Sequence, residues 1–125
     1  MAKKEALFKG KTADQLKQLS LKEVAPLLPS RARRKITRGF TDEEKTFLKN
    51  LQASSKPVKT HCRDMVILPE MVGKTIKIHR GNTFEDVIIQ LEMVGGRLGE
   101  YALSRKKAKH ADSGVSKNKK VSVRK

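Results

Sequence analysis

The chain has 125 residues, with 29 Lys or Arg against 13 Asp or Glu and a formal charge of +16; this length suits one domain and not comfortably two. Hydrophobic residues make up 37%, below the roughly 45–50% of an ordinary globular chain, so the fold is expected to lean on a partner. No apolar run approaches the ~20 residues of a membrane span, the opening residues lack the apolar stretch of a secretory signal, and one cysteine leaves no internal disulfide framework and points to a reducing, cytoplasmic compartment.

Residues 12–28 predict two short helical pieces. Thr12 with Gln15, and Ser20 with Glu23, have the spacing of capping boxes. Leu16 and Leu19 share a face in the first piece; Leu21, Val24 and Leu28 do so in the second, and core packing is the simplest role for them. Pro29 ends the run. Then come Arg31, Arg33, Arg34 and Lys35, with Arg38 shortly after. Arginine forks match phosphate oxygens better than plain solubility requires. Thr41 with Glu44 opens a further helix, lined on one side by Phe47, Leu48 and Leu51; its acidic first turn, Asp42 to Glu44, complements the helix dipole. Residues 52–60 read as a linker.

Beyond the linker the pattern turns to β structure. Met65 to Leu68 predicts a short apolar strand, stopped by Pro69, and Pro69 to Gly73 one turn of helix. Thr75 to His79 alternates like a half-buried strand, Arg80-Gly81-Asn82 is a turn, and Phe84 to Leu91 predicts the second arm of a hairpin. Gly95, Gly96 and Gly99 crowd around Arg97, which predicts unusual backbone angles or close approach, with room for a phosphate beside Arg97. From Arg105 onward the chain is cationic, with no aromatic residue, and cannot bury enough apolar area to order by itself.

Charge is unevenly placed: +3 over residues 1–30, +6 over 31–60, zero over 61–99 and +7 over 100–125. A neutral middle with cationic flanks repels itself and is relieved by an extended polyanion, which also releases counterions. DNA, RNA and anionic membranes are the candidates; the basic tail lacks the amphipathic apolar face that membrane binding requires. The chemistry of an enzyme is missing. His61 and Cys62 are adjacent, His79 and His110 lie far off, and no metal-ligand pairing, phosphate loop or glycine-framed nucleophile occurs. No cofactor or metal is expected, and Cys62 reads as a small packing group. Aromatics are 4%, with Phe84 alone in a predicted strand, so binding through shape and phosphates suits the inventory better than base stacking on a sheet.

The run Leu68-Pro69-Glu70-Met71-Val72-Gly73-Lys74, then Gly81, then Met93-Val94-Gly95-Gly96-Arg97-Leu98-Gly99-Glu100-Tyr101-Ala102 resembles the small-subunit ribosomal protein family numbered nineteen, over roughly residues 56–111. Leu28-Pro29-Ser30-Arg31 and Arg33-Arg34 ahead of Gly39-Phe40-Thr41 resemble its longer archaeal and eukaryotic branch. The resemblance implies an α+β fold: a small core with a three-stranded sheet and short helices over residues 53–104, a basic helical extension over 1–52, and a basic extended tail over 105–125. It implies a non-enzymatic structural constituent of the small ribosomal subunit. Such a protein binds 16S-type rRNA in the 3′ major (head) domain beside the neighbouring ribosomal protein thirteen. Its tail runs toward the A- and P-site tRNAs, and its core takes part in a bridge to the large subunit.

Carried over by position, the rRNA-facing segment ahead of the predicted first strand is Lys59, Thr60, His61, Cys62 and Arg63. The bacterial pattern has Trp where His61 stands and a second Arg where Asp64 stands. In the tail, Arg105 and His110 match family positions, and Lys106, Lys107 and Lys109 keep the charge. Lys74, Arg80 and Arg97 complete the candidate RNA-binding set with Arg31, Arg33, Arg34, Lys35 and Arg38. A chromatin-type DNA-binding protein fits the charge arithmetic equally well and is the alternative.

Overall fold

A computed structural model describes residues 5–105 of the chain. Its elements in chain order are α1 (Ala13–Gln18), α2 (Leu21–Val24), α3 (Ser30–Arg38), α4 (Asp42–Ala53), β1 (Val58–Thr60), β2 (Thr75–His79) and β3 (Phe84–Ile88). Short 3-10 turns lie at Ala25–Leu27, Pro69–Met71, Leu91–Met93 and Leu98–Tyr101. The fold is α+β, with a mixed sheet in the order β1-β2-β3: β1 runs parallel to β2, and β2 pairs antiparallel with β3. The tail expected beyond Arg105 lies outside the described residues.

Local sequence signals place the helices. At α1 and α4 the caps are reciprocal: the hydroxyls of Thr12 and Thr41 accept from Gln15 N and Glu44 N, while those two side chains accept from the threonine N–H groups. At Ser20 both the backbone N–H and the hydroxyl donate to the Glu23 carboxylate, at 2.8 and 2.9 Å. These bonds, the backbone one first, hold the Glu23 carboxyl below its ordinary value. Leu16, Val24 and Leu28 are buried, but Leu21, expected on the same face, is exposed.

Four expectations are corrected. The cationic run 30–38, which offers no apolar period and by itself shows only charge, is the helix α3. Ala32 and Ile36, four residues apart, are the whole of its inward stripe. Gly39, at φ +91°, ends it and donates to the Lys35 and Ile36 carbonyls. Part of the expected linker is β1, the parallel edge strand. The apolar run Met65 to Leu68 is not a strand of the sheet. Its side chains are 0–3% exposed, and it runs against the glycine-rich loop instead: Ile67 N donates to Gly96 O, Gly95 N to Ile67 O, and Leu98 N to Met65 O. A segment buried on all sides needs no polar–apolar alternation, and its backbone groups must still find partners. The predicted strand from Phe84 also ends sooner, at Ile88, and turns into the 3-10 turn at Leu91–Met93.

One core joins these parts. Phe47 and Leu51 of α4 meet Leu16, Val24 and Leu28 from the N-terminal helices, the 65–71 segment, and Ile76, Ile78 and Val87 on the inner face of the sheet. The outer face of the sheet stays uncovered: Ile88 is 62% exposed.

Candidate nucleic-acid interface

The strongest cationic feature is α3. Arg31, Arg34 and Arg38 follow i, i+3, i+7 spacing, which puts them on one side of the helix, away from Ala32 and Ile36. All three are exposed, and none has an acidic partner among the described residues. The ridge spans about 10 Å of helix axis. Its first turn holds no acidic residue, so the positive end of the helix dipole adds to the charge of Arg31. Arg33 is also exposed and reaches back to the Leu28 carbonyl at 3.4 Å.

The N-terminal end of α3 borders a cleft of about 500 Å³, lined by Ser30, Arg31, Val66, Gly95, Gly96, Arg97 and Glu100 among others. The fold thereby brings Arg31 and Arg97 together. Arg97 also meets Asp64 at 3.3 Å, and Asp64 is 85% exposed, so this pair is a weak surface contact. The glycines beside Arg97 show the unusual backbone angle, φ +88° at Gly95, and the close approach expected of them, and what they approach is protein. A Cβ on Gly95 would stand 2.9 Å from Pro29 Cδ, one on Gly96 would stand 3.0 Å from Tyr101 Oη, and one on Gly99 would stand 3.0 Å from Arg63 Cβ. Their missing side chains make room for protein neighbours.

Several candidate cations face inward. Arg63 donates from Nη1 to the His79 carbonyl at 2.7 Å, and from Nη2 to the Gly99 and Ala102 carbonyls at 2.8 and 2.7 Å. One guanidinium thus ties the end of β1 to the end of β2 and to the last 3-10 turn. Lys74 donates to the Leu51 carbonyl at 2.9 Å and so caps the C-terminal end of α4. Lys35 pairs at 3.0 Å with Glu44, a buried carboxylate that also caps Thr41. Arg80 meets Glu85 at 3.4 Å, and its buried Nε finds no partner among the described residues. Arg105 is exposed; Lys106, Lys107, Lys109 and His110 lie outside the described residues.

The outer face of the sheet adds a feature that the sequence did not reveal. His61, which follows β1, lies 4.3 Å from His79 at the end of β2, centroid to centroid, with a tilt of 34°. Phe84, at the start of β3, stands edge-on to both rings, at 5.3 and 5.0 Å. Lys59 Nζ sits 5.3 Å from the Phe84 centroid. The alternation in β2 does put Lys77 and His79 on the polar side, but only the Lys59↔Lys77 pairing brings His61 to His79. Among the described residues no three His, Cys, Asp or Glu side chains converge as metal ligands, and no helix is long and apolar enough to cross a membrane.

A closed apolar core, an exposed arginine ridge on α3 and an open sheet face with rings and lysines are the features of a protein that meets a polyanion on its surface. The family model described as Ribosomal protein S19 matches residues 34–110, and the chain belongs to that family. It is therefore a structural constituent of the small ribosomal subunit, associated with the ribosome and its RNA in translation. The match begins within α3, so α1 and α2 precede it.

Proposed function

We propose that the chain binds 16S-type rRNA in the 3′ major (head) domain of the small subunit, beside ribosomal protein thirteen. The exposed ridge Arg31, Arg34 and Arg38 is the observation that carries this reading, because an arginine row with no acidic partner among the described residues is costly without a polyanion. Arg33, Arg97, Lys59, His61, Arg105 and the tail cations Lys106, Lys107, Lys109 and His110 extend the contact. Lys35, Arg63, Lys74 and Arg80 act one step back, by holding the surface in shape. Residues 1–52 form the basic extension of an archaeal/eukaryotic-type member, residues 53–104 its core, and residues 105–125 a tail directed toward the A- and P-site tRNAs, with the core contributing to the large-subunit bridge.

The test is binding of the full chain to a transcribed 3′ domain rRNA over a range of salt. Each of Arg34→Ala and Arg38→Ala should weaken binding and flatten the log–log salt slope by about 0.7–0.9. Exposed positions such as these should leave the melting temperature nearly unchanged. Variants with an unchanged slope would refute the ridge as the contact. Duplex DNA that competes equally, nucleotide for nucleotide, would favour a chromatin-type protein instead.

A further inference from the structure

The outer sheet face is neither core nor ordinary solvated surface. The inner set Ile76, Ile78 and Val87 is buried. The outer set comprises Lys59, Thr75, Lys77, His79, Phe84, Asp86 and Ile88, continued by His61. Three rings in mutual contact on an uncovered face expose apolar area with no folding return, unless something lies on them. The cluster is also held rigid. His79 Nδ1 accepts the Gly81 N–H at 3.3 Å, and Phe84 braces both imidazoles edge-on. His61 is exposed while His79 and Phe84 are partly covered, so His61 is the most accessible ring of the three.

We infer that His61, backed by His79 and Phe84, is a stacking platform for an unpaired nucleobase of the bound RNA. Lys59 and Lys77, paired one strand step before the rings, would take a phosphate on that side. The inference rests on the rRNA-binding reading above and assigns one specific contact within it. A base in a duplex has both faces covered by its neighbours, so only a loop, bulge or single-stranded nucleotide can lie on the ring. Two lysines side by side at one end of the platform suit a nucleotide over a purely apolar ligand. Lys59 is two residues before His61, a step of about 7 Å along an extended strand. Lys77 is directly opposite Lys59 in the register, with Asp86 at 3.6 Å drawing off part of its charge.

The test compares the full chain's affinity for single-stranded oligoadenylate RNA with that for an abasic ribose-phosphate chain of equal length, which keeps the phosphates and lacks the bases. Oligoadenylate should bind tighter by roughly 5- to 150-fold, the range of one base–aromatic stack. His61→Ala and His61→Gln should both erase most of that advantage, His61→Phe should keep it, and none should change the salt slope at the abasic probe. An advantage that survives both ring-less variants overturns the platform. Equal affinity for the two probes, with a steep salt dependence, overturns it too while leaving the phosphate-binding reading intact. Binding of neither probe, nor of rRNA, removes both. Circular dichroism melts of the variants separate lost stacking from lost folding.

Discussion

Arg63 is where the sequence and the structure give different accounts of one side chain, and Arg63→Ala separates them. Read as an RNA contact, its loss should lower rRNA affinity and leave the fold alone. In the structure its guanidinium donates to three backbone carbonyls, of His79, Gly99 and Ala102, at 2.7–2.8 Å. Hydrogen bonds to a charged group contribute about 1.5–3 kcal/mol each, so three set an upper bound of about 4.5–9 kcal/mol. The side chain is partly buried, and water can reach some of the released carbonyls, which halves the expected loss to about 2–4 kcal/mol. For a chain of this size that is a fall in melting temperature of roughly 10 °C or more. Arg63→Lys should recover only part of it, because one ammonium lacks the fork that spans three acceptors. The assay is urea denaturation followed by circular dichroism, run beside rRNA binding at a temperature where both proteins are folded. A loss of stability below about 0.5 kcal/mol, the usual effect of a surface substitution, would refute the clamp and return Arg63 to the RNA-facing set.

Two further outcomes follow from the same region. Gly95→Ala meets a positive φ of +88° and a contact of 2.9 Å with Pro29 Cδ, and should cost about 2–4 kcal/mol; Gly39→Ala, at φ +91° with open space around it, should cost less, and equal losses by denaturant titration would show that the Pro29 contact is unimportant. Tyr101 is held above its ordinary 10.0 first by burial and then by the Glu100 charge. The folded state therefore keeps the phenol proton longer than the unfolded state, so this contribution to stability is complete below pH 10.0 and is lost as pH rises through the raised value. With one tyrosine and no tryptophan in the chain, the tyrosinate absorbance is unambiguous: the folded protein should titrate above its urea-unfolded form, and coincident curves would refute the burial.

Much was legible in the residues alone, and for local reasons. Thr12 with Gln15 and Thr41 with Glu44 announce helix starts because the capping atoms lie within one turn of each other. Pro69 and Gly73 bracket one turn for the same reason, and Thr75 to His79 shows its strand by alternation. Charge placement pointed to a polyanion without any fold. The ribosomal family, too, was visible in fixed identities from Leu68 to Gly73 and from Met93 to Ala102, ahead of any coordinates. What escaped was set by partners distant in the chain. Helix α3 has a two-residue apolar stripe that only the packed core makes sufficient. Met65 to Leu68 looked like a sheet strand because a fully buried segment carries no period; its neighbour turned out to be the loop 95–99. The cations Arg31, Lys35, Arg63 and Lys74 are chemically alike in the sequence. Tertiary contacts alone decide that Arg31 faces solvent, whereas Lys35 meets Glu44, Arg63 meets three carbonyls, and Lys74 caps α4. Composition sets how much charge a chain carries. Where each charge ends depends on which carbonyls and carboxylates the folded backbone brings within about 3 Å, and that is a property of the packing.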